Sequence, residues 1–256
     1  MHFTATADTD IGISKTNNQD SVLIKHAAYG AKEVLLAVMC DGMGGLSKGE
    51  LASATVIRTF SAWFDSEISK ELENFDVQII SGKWVLMLKE LNGTILEYGA
   101  RNGVSLGTTF TGILFAEDQY VIVHVGDSRA YYMDRSLTQL TQDQTFIARE
   151  IAAGRMTPER AKTDPRRNML LQCVGASKVI EPQVLTGRTK EGSYMLCSDG
   201  FRHVNTPNEI YGVFNASGLT DKQTMHSRTL YLIDQAKKRG ERDNISVILI
   251  KAQRAV

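Results

Sequence analysis

Short apolar runs rich in β-branched and aromatic residues alternate along the chain with longer stretches whose apolar positions recur every three or four residues. The first pattern predicts strands over 20–25, 33–39 (EVLLAVM), 108–115, 120–125, 129–133, 184–186, 194–197 and 245–250, with Glu117-Asp118 as the turn between the third and fourth. The second predicts helices. Residues 48–64 place Ala52, Val56, Phe60, Trp63 and Phe64 on one face. Residues 83–101 do the same with Trp84, Leu88, Leu91, Ile95 and Tyr98, and 221–239 with Met225, Leu232 and Ala236. A short helix is expected over 144–153, and Ser47-Lys48-Gly49-Glu50 reads as a capping box before the first helix. The strands come in hairpin-spaced groups separated by a helical pair. That is not the regular βαβα alternation of a parallel sheet, and it predicts an α+β fold with antiparallel sheets covered by helices.

Composition narrows the class. The chain has 256 residues, 43% hydrophobic and 23% charged, as expected of an ordinary globular protein with a sizeable core. Only four prolines, no low-complexity tract and no linker-like stretch favour a single domain over residues 1–256. Lys+Arg and Asp+Glu both number 29, so there is no electrostatic footprint for nucleic acid or an anionic membrane. No apolar run reaches the roughly 20 residues that span a bilayer, and the opening Met1-His2-Phe3-Thr4 does not resemble a signal peptide. Cys40, Cys173 and Cys197 form no CxxC pair, which argues against a zinc or disulfide framework and fits a reduced, cytoplasmic setting.

Candidate chemistry lies at the ends of the apolar runs. The run 35–40 leads into Asp41-Gly42, 121–126 into Asp127-Ser128, and 194–198 into Asp199-Gly200. A fourth aspartate, in Asp243-Asn244, stands just before the last apolar run. Asp-Gly and Asp-Asn are also ordinary turn dipeptides, so any one case is weak. Together they matter more, because the start of an antiparallel strand lies beside the end of its neighbour, and all four carboxylates could gather at one rim. Two carboxylates about 4 Å apart repel by roughly 4 kcal/mol at an effective dielectric of 20. A converged set must therefore be protonated or neutralised by cations, and an all-oxygen donor set suits Mg²⁺, Mn²⁺ or Ca²⁺ rather than zinc. Asp41-Gly42-Met43-Gly44-Gly45 adds three glycines in five residues, where backbone could approach an ion closely.

Seven ordered blocks then resemble the metal-dependent protein phosphatases of the type 2C family in their bacterial form. They are Asp10-Ile11-Gly12-Ile13-Ser14-Lys15-Thr16-Asn17-Asn18-Gln19-Asp20-Ser21; Asp41-Gly42-Met43-Gly44-Gly45 with Gly49-Glu50-Leu51-Ala52-Ser53; Gly107-Thr108-Thr109; Gly126-Asp127-Ser128-Arg129-Ala130-Tyr131; Leu140-Thr141-Gln142-Asp143; Cys197-Ser198-Asp199-Gly200; and Asp243-Asn244-Ile245-Ser246-Val247. The resemblance runs from about residue 5 to residue 251. It implies a four-layer α-β-β-α sandwich with a metal cluster at one end. It implies that Asp41 bridges two metals, that the Gly42 carbonyl ligates one, and that Asp199 and Asp243 complete the second site. Asp127 with Asp199 matches a third metal position. Asp20 is expected to act through water or by orienting ligands, and Mn²⁺ or Mg²⁺ to be the cofactor, as two or three ions. The implied reaction is hydrolysis of phosphoserine and phosphothreonine in proteins by direct attack of a metal-bridging water or hydroxide, opposing a cognate serine/threonine kinase.

Some positions depart from the family pattern. Lys15 stands where an arginine usually binds phosphate, which keeps the charge but loses the bidentate fork. Gln19 replaces a commoner glutamate, Leu46 a frequent histidine, and Met43 a histidine found in eukaryotic relatives, so no general acid can be named from the sequence. His203 and His124 read as structural and core residues, and Lys237-Lys238-Arg239 with Arg242 as a solvated helix end. By resemblance, 141–168 form a flap beside the cleft, made basic by Arg149, Arg155, Arg160, Arg166 and Arg167, with recognition of phosphorylated, acidic segments as its functional reading. The alternative to an enzyme is a non-catalytic relative that binds or senses phosphoproteins. Filled carboxylate positions favour the enzyme. A nuclease is disfavoured by the absence of net positive charge and of an aromatic–basic stripe.

Overall fold

In β3 (Lys32–Cys40) every residue from Val34 to Cys40 is buried, and alternation of side chains sends them into two different cores. Val34, Leu36, Val38 and Cys40 face helices, whereas Leu35, Ala37 and Met39 face another sheet. β10 (Ile245–Gln253) repeats this, with Ile245, Val247 and Leu249 on one side and Ile248, Ile250 and Ala252 on the other. Strands buried on both faces dictate a layered molecule. The computed structural model describes residues 1–30, 32–43 and 48–254.

One sheet has the order β2-β3-β4-β5-β8, formed by β2 (Ser21–Tyr29), β3, β4 (Phe110–Ala116), β5 (Gln119–Val125) and β8 (Gln183–Arg188). The other has the order β1-β10-β9-β6-β7, with β1 (His2–Asp10), β9 (Gly192–Cys197), β6 (Arg129–Met133) and β7 (Leu137–Gln139) beside β10. Every strand pair is antiparallel. α1 (Gly49–Glu73) and α2 (Val77–Asn102) cover the first sheet. α6 (Pro207–Phe214) and α7 (Lys222–Lys238) cover the second. The expected α-β-β-α sandwich is therefore the architecture observed.

α1 and α2 run longer than their apolar stripes suggested, whereas α7 falls within a residue of the expected 221–239 at each end. α2 begins at Val77 because the Asp76 carboxylate accepts from the N–H groups of Gln78 (2.7 Å) and Ile79 (3.3 Å), satisfying two donors of the first turn. Its buried stripe passes from Ile95 to Gly99, so Tyr98, expected on the inner face, is 39% exposed. Ser47 of the expected capping box, with Gly44, Gly45 and Leu46, lies outside the described residues. Lys48 stands at the N-cap of α1 with φ +85° and no side-chain cap bond. β1 and β7 were not anticipated, nor were α4 (Pro158–Ala161), α5 (Asp199–Arg202) and α6.

Register brings the strand ends to the site. Cys40 pairs with Ser21, Val125 with Phe110, Cys197 with Val247, and Ile245 with Asp10. Between β7 and β8 the chain makes an excursion holding α3 (Phe146–Ala152) and α4. Its base is pinned where Phe146 N–H donates to the Met169 carbonyl (2.8 Å) and Leu171 N–H to that of Gln144 (2.8 Å). α3 is the short helix expected over 144–153, and α4 adds a second on the same closed base.

Candidate functional site

Asp41 follows β3 directly, and its main chain is gripped by the Gly107-Thr108-Thr109 motif. The Thr109 hydroxyl accepts from Asp41 N–H (2.9 Å), while Thr109 N–H (2.9 Å) and the Thr108 hydroxyl (3.0 Å) donate to the Asp41 carbonyl. The next residue must be glycine. Gly42 N–H donates to the Gln19 carbonyl (3.1 Å), and a Cβ on Gly42 would lie 2.4 Å from that oxygen and 2.7 Å from the Gly49 carbonyl. A Cβ on Gly49 would lie 2.8 Å from the Gly42 carbonyl carbon. The first turn of α1 therefore presses backbone on backbone against the segment that carries Asp41.

The opening loop is tied to the Asp243 loop by Asn244. Its side chain accepts from Gln19 N–H (2.9 Å) and donates to the carbonyls of Ile11 (2.9 Å) and Asn17 (3.2 Å). Asp20, one residue on, sinks below the cleft at 8% exposure. Its Oδ2 accepts from the Ser246 hydroxyl (2.6 Å), and its Oδ1 is buried with no hydrogen-bond partner. Asp199 opens α5, one residue after Ser198, whose hydroxyl accepts from Ser246 N–H (3.0 Å).

Asp127 lies in the β5–β6 connection and is held by Arg202, a residue with no role in the sequence reading. The Arg202 guanidinium donates to the Asp127 carbonyl (3.1 Å) and lies 3.6 Å from its carboxylate and 3.8 Å from that of Asp143. Arg129 grips Asp143 with two bonds of 2.7 Å. His203 spans two acids, 3.5 Å from Asp199 and 3.4 Å from Glu241. Arg202 and His203 fall one helical turn after Asp199, which is the only sequence signal that could have flagged them. Asn168, which lines the cleft from the flap, carried none.

Asp41, Asp127, Asp199 and Asp243 line one cavity of about 270 Å³, together with Lys15, Met43, Thr109, Asn168 and Leu170. The four rim aspartates thus meet as expected, with Lys15 beside them and Asp20 beneath. Burial first, then the charges of Asp20, Asp199, Asp127 and Asp243, hold the Asp41 carboxyl well above the usual carboxylate range. Burial and the neighbouring charges of Asp199 and Asp243 outweigh the serine hydrogen bonds and push Asp20 up to about 7. Asp127 is likewise pushed up to about 7, by burial and Asp199 against the opposing pull of Arg202.

Lys15 Nζ lies 2.8 Å from Asp243. Burial would lower its pKa, but the Asp243 hydrogen bond and the charges of Asp243, Asp41 and Asp199 raise it. Among the described residues no three His, Cys, Asp or Glu side chains stand tightly enough to hold an ion between them as they are placed. The donor chemistry still fits a hard divalent cation: the site offers carboxylates and backbone oxygen, with one orphaned carboxylate oxygen. The nearby thiols do not compete, since burial pushes Cys197 up to about 12 and also raises Cys40.

Comparison with known proteins gives consistent results. A family model described as protein phosphatase 2C matches residues 13–248. The serine/threonine protein phosphatase PstP of Mycobacterium tuberculosis is 33% identical over 246 residues, covering 95% of this chain but 44% of that protein's own length. The protein phosphatase PhpP of Streptococcus pneumoniae is 30% identical over 247 residues, covering 94% of each. Among solved structures, a bacterial serine phosphatase superposes with a TM-score of 0.85 at 30% identity over 100% of both chains. The catalytic domain of PstP in complex with two manganese ions superposes with a TM-score of 0.77 at 30% identity over 97% of each chain.

Proposed function

This chain belongs to the protein phosphatase 2C family, and we propose on that footing that it hydrolyses phosphoserine and phosphothreonine in proteins, using two or three Mn²⁺ or Mg²⁺ ions held by Asp41, Asp127, Asp199, Asp243 and the Gly42 carbonyl. The carrying observation is that four carboxylates from four separate strand ends line one cavity, with Lys15 its sole cationic side chain among the described residues. Bound there, divalent ions supply a nucleophile at neutral pH and neutralise phosphoryl oxygens.

The chain's own residues then have distinct tasks. Thr108 and Thr109 fix the Asp41 backbone, so its carboxylate is presented without an ordering cost when substrate arrives. Arg202 and Asp143 fix the Asp127 loop. Asp20 orients the rim from below through Ser246. Lys15, already at the cavity, swings from Asp243 to the phosphate as that charge is taken up. The substrates are phosphorylated proteins, and the natural counterpart is a serine/threonine kinase. We place the activity in the cytoplasm; no helix among the described residues is long and apolar enough to cross a membrane. A non-catalytic binding role is disfavoured because no rim carboxylate is replaced.

The test is turnover of p-nitrophenyl phosphate and a phosphothreonine peptide with and without Mn²⁺, with Asp199→Asn alongside. Mn²⁺-dependent hydrolysis lost in the variant is the expected outcome. Robust turnover in EDTA, or full activity of the variant, would contradict the assignment.

A further inference from the structure

Beside the carboxylate cavity runs a wider groove of about 790 Å³, and the two are continuous, since Lys15, Asn168 and Asp243 line both. Its walls come from the flap, the α5 segment and the loop before β10, and their charge is opposite to that of the cavity. Some of that charge is already spoken for. Lys15 is paired with Asp243, Arg202 with Asp127 and Asp143, and Glu241 with His203. Lys162, Arg167 and Arg242 remain. All three are exposed and line the groove, and none pairs with a carboxylate among the described residues.

Most of the flap's other cations behave differently, with Arg160 the exception, exposed and unpaired among the described residues but outside the groove. Arg149 and Arg155 are bonded to Glu150, and Arg166 to Asp164. Arg149 and Arg166 also lie over the Phe146 ring at 5.3 Å and 4.1 Å from its centre. The basic helix end separates in the same way. Lys237 pairs with Asp10, Lys238 with Asp234 and Arg239 with Glu209, leaving Arg242 facing the groove. Three cations from two remote parts of the chain are thus left without partners at one wall, next to the place where a phosphate would sit. Other cations unpaired among the described residues, such as Lys48, Arg58 and Arg160, lie away from the groove, so what sets these three apart is their shared position beside the carboxylate cavity.

We propose that Lys162, Arg167 and Arg242 form a second anion subsite that selects substrates with another anionic side chain, a carboxylate or a second phosphate, flanking the phosphorylated residue. This rests on the phosphatase reading and adds a substrate class to it. The three are specificity residues, with no part in bond cleavage. Exposed charge pairs are individually weak and are screened within about 8 Å at physiological salt. The preference is therefore modest for each cation, cumulative over three, and sensitive to salt.

The experiment uses the full chain with Mn²⁺ and three phosphothreonine peptides: one flanked by Glu and Asp, one carrying a second phosphothreonine, and one flanked by Ala and Ser. The readout is the ratio of kcat/KM for each anionic peptide over the neutral one. Wild type should favour the anionic peptides by about tenfold at low salt, since surface pairs each contribute a factor of a few. The ratio should fall to near one in Lys162→Glu/Arg167→Glu/Arg242→Glu, mainly through KM. It should be unaltered in Arg160→Glu, which removes an exposed, unpaired flap cation from outside the groove. Preference for the doubly phosphorylated peptide alone assigns the subsite to phosphate, and equal preference assigns it to any anion. Should the triple variant be poorly folded by circular dichroism, Arg242→Gln and Arg167→Gln singly should each lower the ratio by about a third or more. A wild-type ratio near one, or a ratio equally preserved in the groove variants, overturns the subsite while leaving the phosphatase reading intact. If no peptide is hydrolysed, the activity reading has failed. Fluorescence anisotropy of the same peptides then decides the subsite by the same ratio of affinities.

Discussion

The cavity floor and the groove wall are neighbours built on opposite terms. The floor is acidic and crowded, and the buried carboxyls of Asp41, Asp20 and Asp127 are pushed above their usual range by burial and by neighbouring charges. The wall is basic and exposed, and Lys162, Arg167 and Arg242 stand there unpaired among the described residues, while most other flap and helix-end cations are paired off one by one. Burial makes each floor charge costly enough to shape the local fold, so glycines, threonine clamps and Arg202 are all arranged around it. Exposure makes each wall charge cheap to change. Substitution should accordingly be severe on the floor and graded on the wall.

The largest effect should come from the floor itself. Asp41→Asn should lower kcat/KM by about three orders of magnitude, the scale of losing one preorganised electrostatic group, as measured with p-nitrophenyl phosphate and Mn²⁺. A loss under tenfold would mean that Asp41 is not central. The scaffold beneath it comes next. Gly42→Ala drives a Cβ to 2.4 Å from the Gln19 carbonyl and should destabilise by about 2–3 kcal/mol in urea unfolding, as overpacking does.

Asp143 belongs structurally with the floor. Arg129 holds its carboxyl below the usual range against the opposing effect of burial. A carboxyl with a depressed folded-state pKa stabilises fully above its unfolded value, and that stability is lost as pH falls through the folded value. Asp143→Asn should cost about 3 kcal/mol at pH 7, since it strands a largely buried Arg129. The cost should shrink below about pH 4, where an unfolded-state aspartate is itself protonated. An unchanged urea midpoint at pH 7 would remove the pair from the scaffold.

His124, buried under the same rim, carries the opposite kind of group. Its Nε2–H donates to the Gly126 carbonyl (3.0 Å), so Nδ1 accepts from the Thr111 hydroxyl (2.9 Å). Burial lowers its pKa from 6.5 to about 4. The unfolded chain therefore binds the proton first, and stability falls as pH drops from about 6.5 to about 4. The size of that fall is roughly 3 kcal/mol at 1.36 kcal/mol per pKa unit. His124→Gln should flatten this slope. A slope identical to wild type would show that other groups produce it.

Much of this division was legible in the sequence. The rim aspartates could be found because each borders an apolar run, and two-sided burial of β3 and β10 made those runs conspicuous. β1 was missed because its alternation is of Thr, Ala and Asp, with Phe3 and Thr6 its only buried residues. α6 was missed although Thr206, Pro207 and Glu209 spell out a capping box at its start. The partners of the floor were harder. Arg202, Asn168 and Asn244 act through carbonyls and cavities supplied by distant segments, and no local pattern encodes such meetings. The pairing that sorts the flap arginines is equally invisible to a count of charges.

The most direct measurement is calorimetric titration of Mn²⁺ into metal-stripped protein, followed by thermal unfolding of each form. Wild type should bind at least two Mn²⁺ ions and gain about 2.7 kcal/mol at a hundredfold excess over Kd for each site. Asp41→Asn and Asp199→Asn should each lose binding heat and most of that gain. Wild type that takes up no Mn²⁺, or variants that bind it as wild type does, would show that these acids do not form an ion-holding centre.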